Sequence, residues 1–220
     1  SVRQIVGWND NNNLMYFMAE VFDNVHSRDA ETPEAWWADD AWEIYISPTH
    51  PEAEGGGAAA PGDDNGIVKQ NWNISVPPVQ GGWGGFFPAF EWFTDPFNND
   101  AWGLSYTFSG AEFGESTYYY ELWVRPFDFI PDDGDRAAAE ETDLEEGQII
   151  AISWTFGDFD TPGGAALSDY QGFWQTSPNG CCRADNDMVM QELDDSIEWG
   201  TETAVESSSW GRIKNQFKHQ

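Results

Sequence analysis

Flat aromatic rings and planar polar groups occur together in the stretch Trp36-Trp37-Ala38-Asp39-Asp40-Ala41-Trp42-Glu43-Ile44-Tyr45-Ile46. That combination is what recognition of a sugar ring requires, because an indole covers the apolar face of a pyranose while carboxylates and amides take its hydroxyls. From Trp42 the residues alternate, so Trp42, Ile44 and Ile46 share one face of a strand and Glu43 and Tyr45 share the other. One face then packs a core and the other offers a carboxylate and a phenol. A tryptophan-rich strand serves a core at least as readily as a ligand platform, so the segment alone leaves both readings open.

The second chemistry is that of oxygen ligands. Asp23, Asp29, Asp39 and Asp40 lie close in sequence around one strand end, and Asp158 and Asp160 follow another. Loop carboxylates suit a hard cation, calcium first, although neither segment has the spacing of an EF-hand loop. The metal set expected from this pattern is Asp23, Asp39, Asp40, Asp158 and Asp160. Pairs such as Asp39 with Glu43, or Asp158 with Asp160, have the chemistry of a glycosidase acid and base, but spacing along a chain does not set the separation needed across a substrate. There is no phosphate-binding glycine loop, nucleophile elbow or zinc-ligand pattern, and His26, His50 and His219 stand far apart. No catalytic residue is assigned.

These groups need a scaffold, and the chain supplies one rich in rings. It has 220 residues with thirteen Trp, fifteen Phe and seven Tyr, enough apolar area for one large domain with an aromatic core. Thirty-nine Asp and Glu against nine Lys and Arg give a net charge of −30. Such a surface repels nucleic-acid phosphate and anionic membrane, and leaves divalent cations, basic protein surfaces and neutral ligands as partners. It also fits a protein kept soluble at high salt. No apolar run is long enough for a membrane span. Ser1-Val2-Arg3-Gln4 does not resemble a signal peptide, and the expectation is a numbering that begins after processing or inside a longer chain. Adjacent Cys181 and Cys182 cannot staple distant parts of a fold and read as two ordinary thiols in a loop.

Strands are expected over Arg3 to Trp8 and Leu14 to Asp23, joined by the turn Asn9-Asp10-Asn11-Asn12-Asn13, whose asparagines tolerate left-handed backbone. The second strand is apolar on both faces and should be central. Further strands are expected over Ala41 to Ile46, Ile67 to Val76, Leu104 to Phe108, Tyr118 to Val124 and Gln148 to Phe156, with short closing strands at Ser196 to Trp199 and Trp210 to Phe217. Pro48 to Gly66 reads as a low-complexity surface insertion, Gly81 to Trp102 as an irregular aromatic insertion, and Asp132 to Glu146 as an acidic insert with one short helix. The basic C-terminus from Trp210 to Gln220 contrasts with the acidic body and can pair with it.

The order of these pieces resembles the family 9 carbohydrate-binding modules and their DOMON-like β-sandwich relatives. The resemblance rests on Ile5-Val6-Gly7-Trp8, on Leu14-Met15-Tyr16-Phe17-Met18-Ala19-Glu20-Val21-Phe22-Asp23, and on Trp37 to Ile46. Tyr120-Glu121-Leu122-Trp123-Val124, Gly147 to Ser153, Trp154 to Asp160 and Trp210-Gly211-Arg212-Ile213 continue it, over most of the chain. It implies an all-β, antiparallel, jelly-roll-like sandwich, a single domain over residues 1–220 that lacks or begins after the family's usual N-terminal segment, with insertions at 48–66 and 81–102. It also implies a non-catalytic role in binding carbohydrate, secreted, periplasmic or at the cell surface, appended to or beside a glycan-active enzyme. Two tryptophans clamp the sugar in that family. By motif spacing Trp37 with Glu43 matches one side and Gln171 with Trp174 the other, while Trp36, Trp83 and Trp199 are substitutes; the family's basic residue has no clear counterpart, Lys69 being the one lysine in the body of the sandwich. The resemblance strengthens the expectation of one calcium. Some DOMON-like domains bind haem through Met, His or Lys, which would make Met15, Met18 or His26 candidates, but Met15 and Met18 lie in a core-like strand and packing is preferred to ligation. The competing expectation is a structural or accessory subunit of a larger extracytoplasmic assembly, docking a protein partner through residues 81–102.

Overall fold

The computed structural model describes residues 1–28, 37–49, 69–79, 82–94, 100–111, 114–160, 170–176 and 186–192. Two antiparallel sheets face each other. The first is built from β1 (Val2–Asn9), β2 (Leu14–Asp23), β6 (Trp102–Gly110) and β7 (Ser116–Val124), in the order β1-β2-β7-β6. The second runs β11-β10-β3-β4-β5, from β3 (Trp42–Ser47), β4 (Gln70–Val79), β5 (Gly82–Phe87), β10 (Ile149–Phe159) and β11 (Tyr170–Gln175). β12 (Asn186–Val189) pairs with Ile149 to Ile152 at the start of β10, and β11 pairs with Thr155 to Phe159 at its end. A small ribbon, β8 (Phe127–Phe129) with β9 (Glu140–Glu141), lies beside them. The fold is the expected antiparallel β-sandwich.

Its first hairpin follows from the turn chemistry. Asn13 takes φ 52°, a left-handed value that asparagine tolerates better than most residues with a Cβ, and its Oδ1 accepts the Leu144 N–H at 3.1 Å. β2 lies between β1 and β7 with Met15 to Ala19 buried on both faces, as its two-sided apolar sequence requires.

The core is aromatic where the sheets meet. Trp42 from β3 stacks on Phe156 of β10 with ring centroids 5.8 Å apart, and packs at 5.0 Å against Tyr120 of β7. Phe17, Val21, Leu122 and Val124 from the first sheet join Ile44, Ile46, Trp72, Ile74 and Ile152 from the second in one cluster.

The aromatic insertion is more regular than its sequence suggests. Gly82 to Phe87 pairs with β4 despite three glycines, which weaken a strand's intrinsic preference. Gly84 has φ 152°, and a Cβ there would stand 1.8 Å from the Asn73 carbonyl oxygen, so only glycine allows the approach. A one-turn helix, α1 (Glu91–Thr94), follows. Phe93 and Trp102 are buried, and Phe86 stacks on Trp102 at 4.5 Å. Trp92 meets Phe127 edge-on at 5.6 Å and donates Nε1–H to the Gly134 carbonyl at 2.8 Å. Arg136, opening a short 3₁₀ turn (Arg136–Ala138), lies over both rings and pairs with Asp100 at 2.7 Å. The described aromatics of this stretch therefore pack against their own sandwich, Phe93 and Trp102 fully and Phe86, Phe87, Phe90 and Trp92 in part. The 48–66 insertion beyond residue 49, the closing strands expected after residue 195, Cys181, Cys182 and the basic C-terminus lie outside the described residues. Among the described residues no helix is long and apolar enough to cross a membrane.

Gln70 ties the small ribbon to the sandwich. Fully buried, it donates Nε2–H to the Phe127 carbonyl at 2.7 Å and accepts the Phe127 N–H at 2.9 Å. Gln70→Ala leaves both backbone groups buried without these partners, which should cost about 2–3 kcal/mol. Denaturant titration measures this, and a loss below about 0.5 kcal/mol would show that solvent replaces both bonds.

Candidate functional site

Three chain segments converge at one end of the sandwich. β2 ends at Asp23, the lead-in to β3 carries Asp39 and Asp40, and β10 ends at Phe159 with Asp160 next. Asp23 continues the core-facing series of Ala19 and Val21, and Asp158 that of Ile152 and Phe156, so the two carboxylates leave opposite sheets on the inner side. One oxygen from each of Asp23, Asp158 and Asp160 lies within 4.8 Å of the others, and the same holds for ligand atoms of Asp23, His26 and Asp40.

Asp40 organises this end. It is 1% exposed, and its carboxylate accepts the Ser27 N–H on Oδ2 and the Phe159 N–H on Oδ1, the latter at 2.7 Å. His26 is fully buried between the rings of Phe108 and Tyr118, with centroids at 5.1 and 4.8 Å. Its Nε2 lies 2.7 Å from the Val76 carbonyl and must carry the proton it donates there. Its Nδ1 faces Asp40 Oδ2 at 3.3 Å and Asp23 Oδ2 at 3.8 Å.

The electrostatics follow from this crowding. Burial opposes charge on His26, but the facing carboxylates of Asp23 and Asp40 outweigh it and raise the ring to about 9. Asp40 is drawn up to about 7 by burial, with the Asp23 charge adding to it, against the two N–H donors and the ring. Asp158 and Asp160 are both raised, first by burial and then by the charge of Asp23. The cluster is therefore short of positive charge. Its oxygen donors fit a hard cation, and Asp160 Oδ1 is a buried atom with no hydrogen-bond partner.

Four of the five residues expected to hold a metal are thus brought together. Asp39 is not among them, because its carboxylate pairs with the buried guanidinium of Arg28. His26, which the sequence suggested only as a haem ligand and not with the calcium set, joins the group, and the spacing Asp23-x-x-His26 at a strand end was the available signal.

The sugar-site residues divide between faces. Glu43 is 4% exposed, so its carboxylate is not offered to solvent as the alternation suggested. It accepts a hydrogen bond from the Tyr45 hydroxyl in a buried polar layer that includes Asn73 and Thr155, its register partners. Lys69 belongs to the same layer, with Nζ 5.5 Å from the Tyr45 ring. Trp174 pairs with Phe156, which pairs with Trp42, so it leaves β11 on the core side, the face opposite Glu43. There β11 is an edge, and Trp174 is 66% exposed. Trp37, in the lead-in to β3, is 48% exposed. Gln171 is the extra residue of a β-bulge, between the register pairs Asp158 with Gly172 and Phe159 with Tyr170. Trp36, Trp199 and the Trp83 side chain are outside what is described.

No protein-family model matches the chain, and no curated protein matches it. Among solved structures, it is similar to a family 9 carbohydrate-binding module from Caldicellulosiruptor kristjanssonii in complex with cellotriose, at TM-score 0.51 and 12% identity, covering 92% of this chain and 80% of that one. A family 9 module from the same organism in complex with glucose aligns at TM-score 0.44 and 12% identity, over 80% of this chain and 74% of that one. The likeness establishes the fold.

Burial raises the Glu43 carboxyl to about 7 from its ordinary 4.5, with the Tyr45 hydrogen bond working the other way. An acid raised on folding contributes stability below its unfolded value and loses it as pH rises through the folded one, here from about 4.5 to about 7. Glu43→Gln should therefore remove part of the decline in stability across that window, up to about 1.4 kcal/mol per pH unit. Denaturation at several pH values checks this, and parallel curves for the two proteins would contradict it.

Proposed function

We propose that this chain is a non-catalytic carbohydrate-binding domain whose ligand stacks on Trp37 and Trp174. One observation carries the proposal: of the tryptophans whose side chains are described, these two alone are exposed, while Trp42, Trp72 and Trp102 are fully buried and Trp8, Trp92, Trp123 and Trp154 half-buried. An indole left in water is the platform that a sugar ring covers. The two segments flank the end of β10, on its β3 and β11 sides. Beside Trp174, Gly172 has nothing within 4 Å of where a Cβ would stand, which gives a ligand room.

Gln171 contributes an amide from the bulge in this reading, and Glu43 holds Tyr45 from the far face instead of touching sugar. The fold shared with a module in complex with cellotriose favours a neutral glycan, and the charge of −30 disfavours a polyanionic one. A domain of this kind works outside the cytoplasm, secreted, periplasmic or at the cell surface, where a glycan-active enzyme can carry it or work beside it. Calcium is assigned to Asp23, Asp158 and Asp160, where it would offset their mutual repulsion and join the ends of β2 and β10. The accessory-subunit reading has less support, since the described aromatics of residues 82–102 are packed inward.

Trp37→Ala and Trp174→Ala should each weaken glycan binding by about 0.5–1.5 kcal/mol, roughly two- to twelve-fold. Stability should change by less than about 0.5 kcal/mol, because both rings are largely exposed. Calorimetry with cello-oligosaccharides and a thermal melt separate the two effects. Unchanged affinity in both variants would remove these rings from the site.

For the cation, chelator should lower Tm and added calcium restore it by mass action. Sodium chloride should stabilise through screening without replacing the ion. Equal rescue by sodium chloride would mean general charge repulsion and no calcium site.

A further inference from the structure

The inner half of the acidic cluster differs from the outer half in one donor, the imidazole of His26. We propose that His26 Nδ1, Asp23 and Asp40 form a site for a first-row divalent cation of the zinc class, distinct from the calcium position at Asp23, Asp158 and Asp160. Calcium takes oxygen ligands almost without exception, whereas a nitrogen with two carboxylates is a donor set for zinc and its neighbours.

The ring is already oriented as a ligand. Nε2–H is committed to the Val76 carbonyl at 2.7 Å, and Nδ1 faces the carboxylates of Asp40 and Asp23, where a cation would take the place of the Nδ1 proton. A backbone carbonyl on the far nitrogen is the usual way a metal-binding histidine is fixed. Nδ1 forms no hydrogen bond although the side chain is fully buried. The carboxylates are held as well, Asp40 by the N–H groups of Ser27 and Phe159 and Asp23 by the Val25 N–H at 3.1 Å.

The distances at this point leave room for a cation between the three groups. A charge-assisted N–H to carboxylate bond closes to about 2.7–2.9 Å. Two ligand atoms on a tetrahedral ion with bonds of roughly 2.1 Å stand about 3.4 Å apart. The separations from Nδ1 are 3.3 Å to Asp40 and 3.8 Å to Asp23, longer than the hydrogen bond and spanning the metal value. Charge agrees with this, since a neutral imidazole and two carboxylates balance one divalent ion.

The test uses the full chain, stripped with chelator and titrated with zinc by calorimetry and with cobalt by visible absorption. One saturable equivalent of zinc, a rise in Tm and visible cobalt bands are expected. His26→Gln should lower zinc affinity at least ten-fold while changing the calcium response less than two-fold, which separates this site from the outer one. The cobalt spectrum of the unaltered chain decides the matter if the variant does not fold. Failure of zinc and cobalt to saturate, or zinc affinity unchanged in His26→Gln, would overturn the assignment and leave the ring as an imidazolium paired with Asp23 and Asp40.

Discussion

A carboxylate withdrawn from water must be hydrogen-bonded or give up its charge, and Asp40 sets the form of one whole end of this protein by meeting that demand. Its oxygens take N–H groups from Ser27, after β2, and from Phe159, at the end of β10, while Asp40 itself leads into β3. The Asp40 N–H returns a bond to the Ser27 carbonyl at 2.9 Å. Three segments from both sheets are thus joined by one side chain. Asp39 and Arg28 make a second buried link between the same two loops. Trp37 stands three residues ahead of Asp40, so its position is inherited from this joint.

The rest of the sandwich faces a problem of volume. Large rings packed on a sheet need space that close-packed strands do not leave, and at two positions glycine provides it. A Cβ at Gly103 would meet the Trp123 indole at 2.3 Å, and one at Gly134 would meet the Phe90 ring at 2.3 Å. Gly134 has φ 74°, so its turn requires glycine for a second reason.

The alternating strands were legible in the sequence because one buried face imposes period two. β1, β2, β7 and β10 fall close to their expected spans, and the two-sided apolar β2 is central. β5 was not legible, because Gly82, Gly84 and Gly85 remove the local signal and its pairing with β4 decides the structure. At the site, alternation correctly separated Glu43 and Tyr45 from Trp42, Ile44 and Ile46. It carried no information on whether that second face is open, and burial of Glu43 depends on contacts distant in sequence. Proximity of Asp23, Asp40, Asp158 and Asp160 was suggested by their places at strand ends, whereas the diversion of Asp39 to Arg28 depends on side-chain direction that spacing does not encode.

The joint at Asp40 also bears on the ligand side. The Phe159 N–H goes to Asp40 Oδ1, and at this point the β10–β11 register shifts by one residue, leaving Gln171 without a partner. Register fixes faces, since a slip of one residue turns every side chain over. The bulge therefore separates two registers on β11: one continues toward Trp174 on the core side, and the other resumes at Tyr170. Asp158, opposite Gly172, stands at the boundary. The carboxylate cluster and the exposed indole are consequently set by the same few hydrogen bonds at the end of β10.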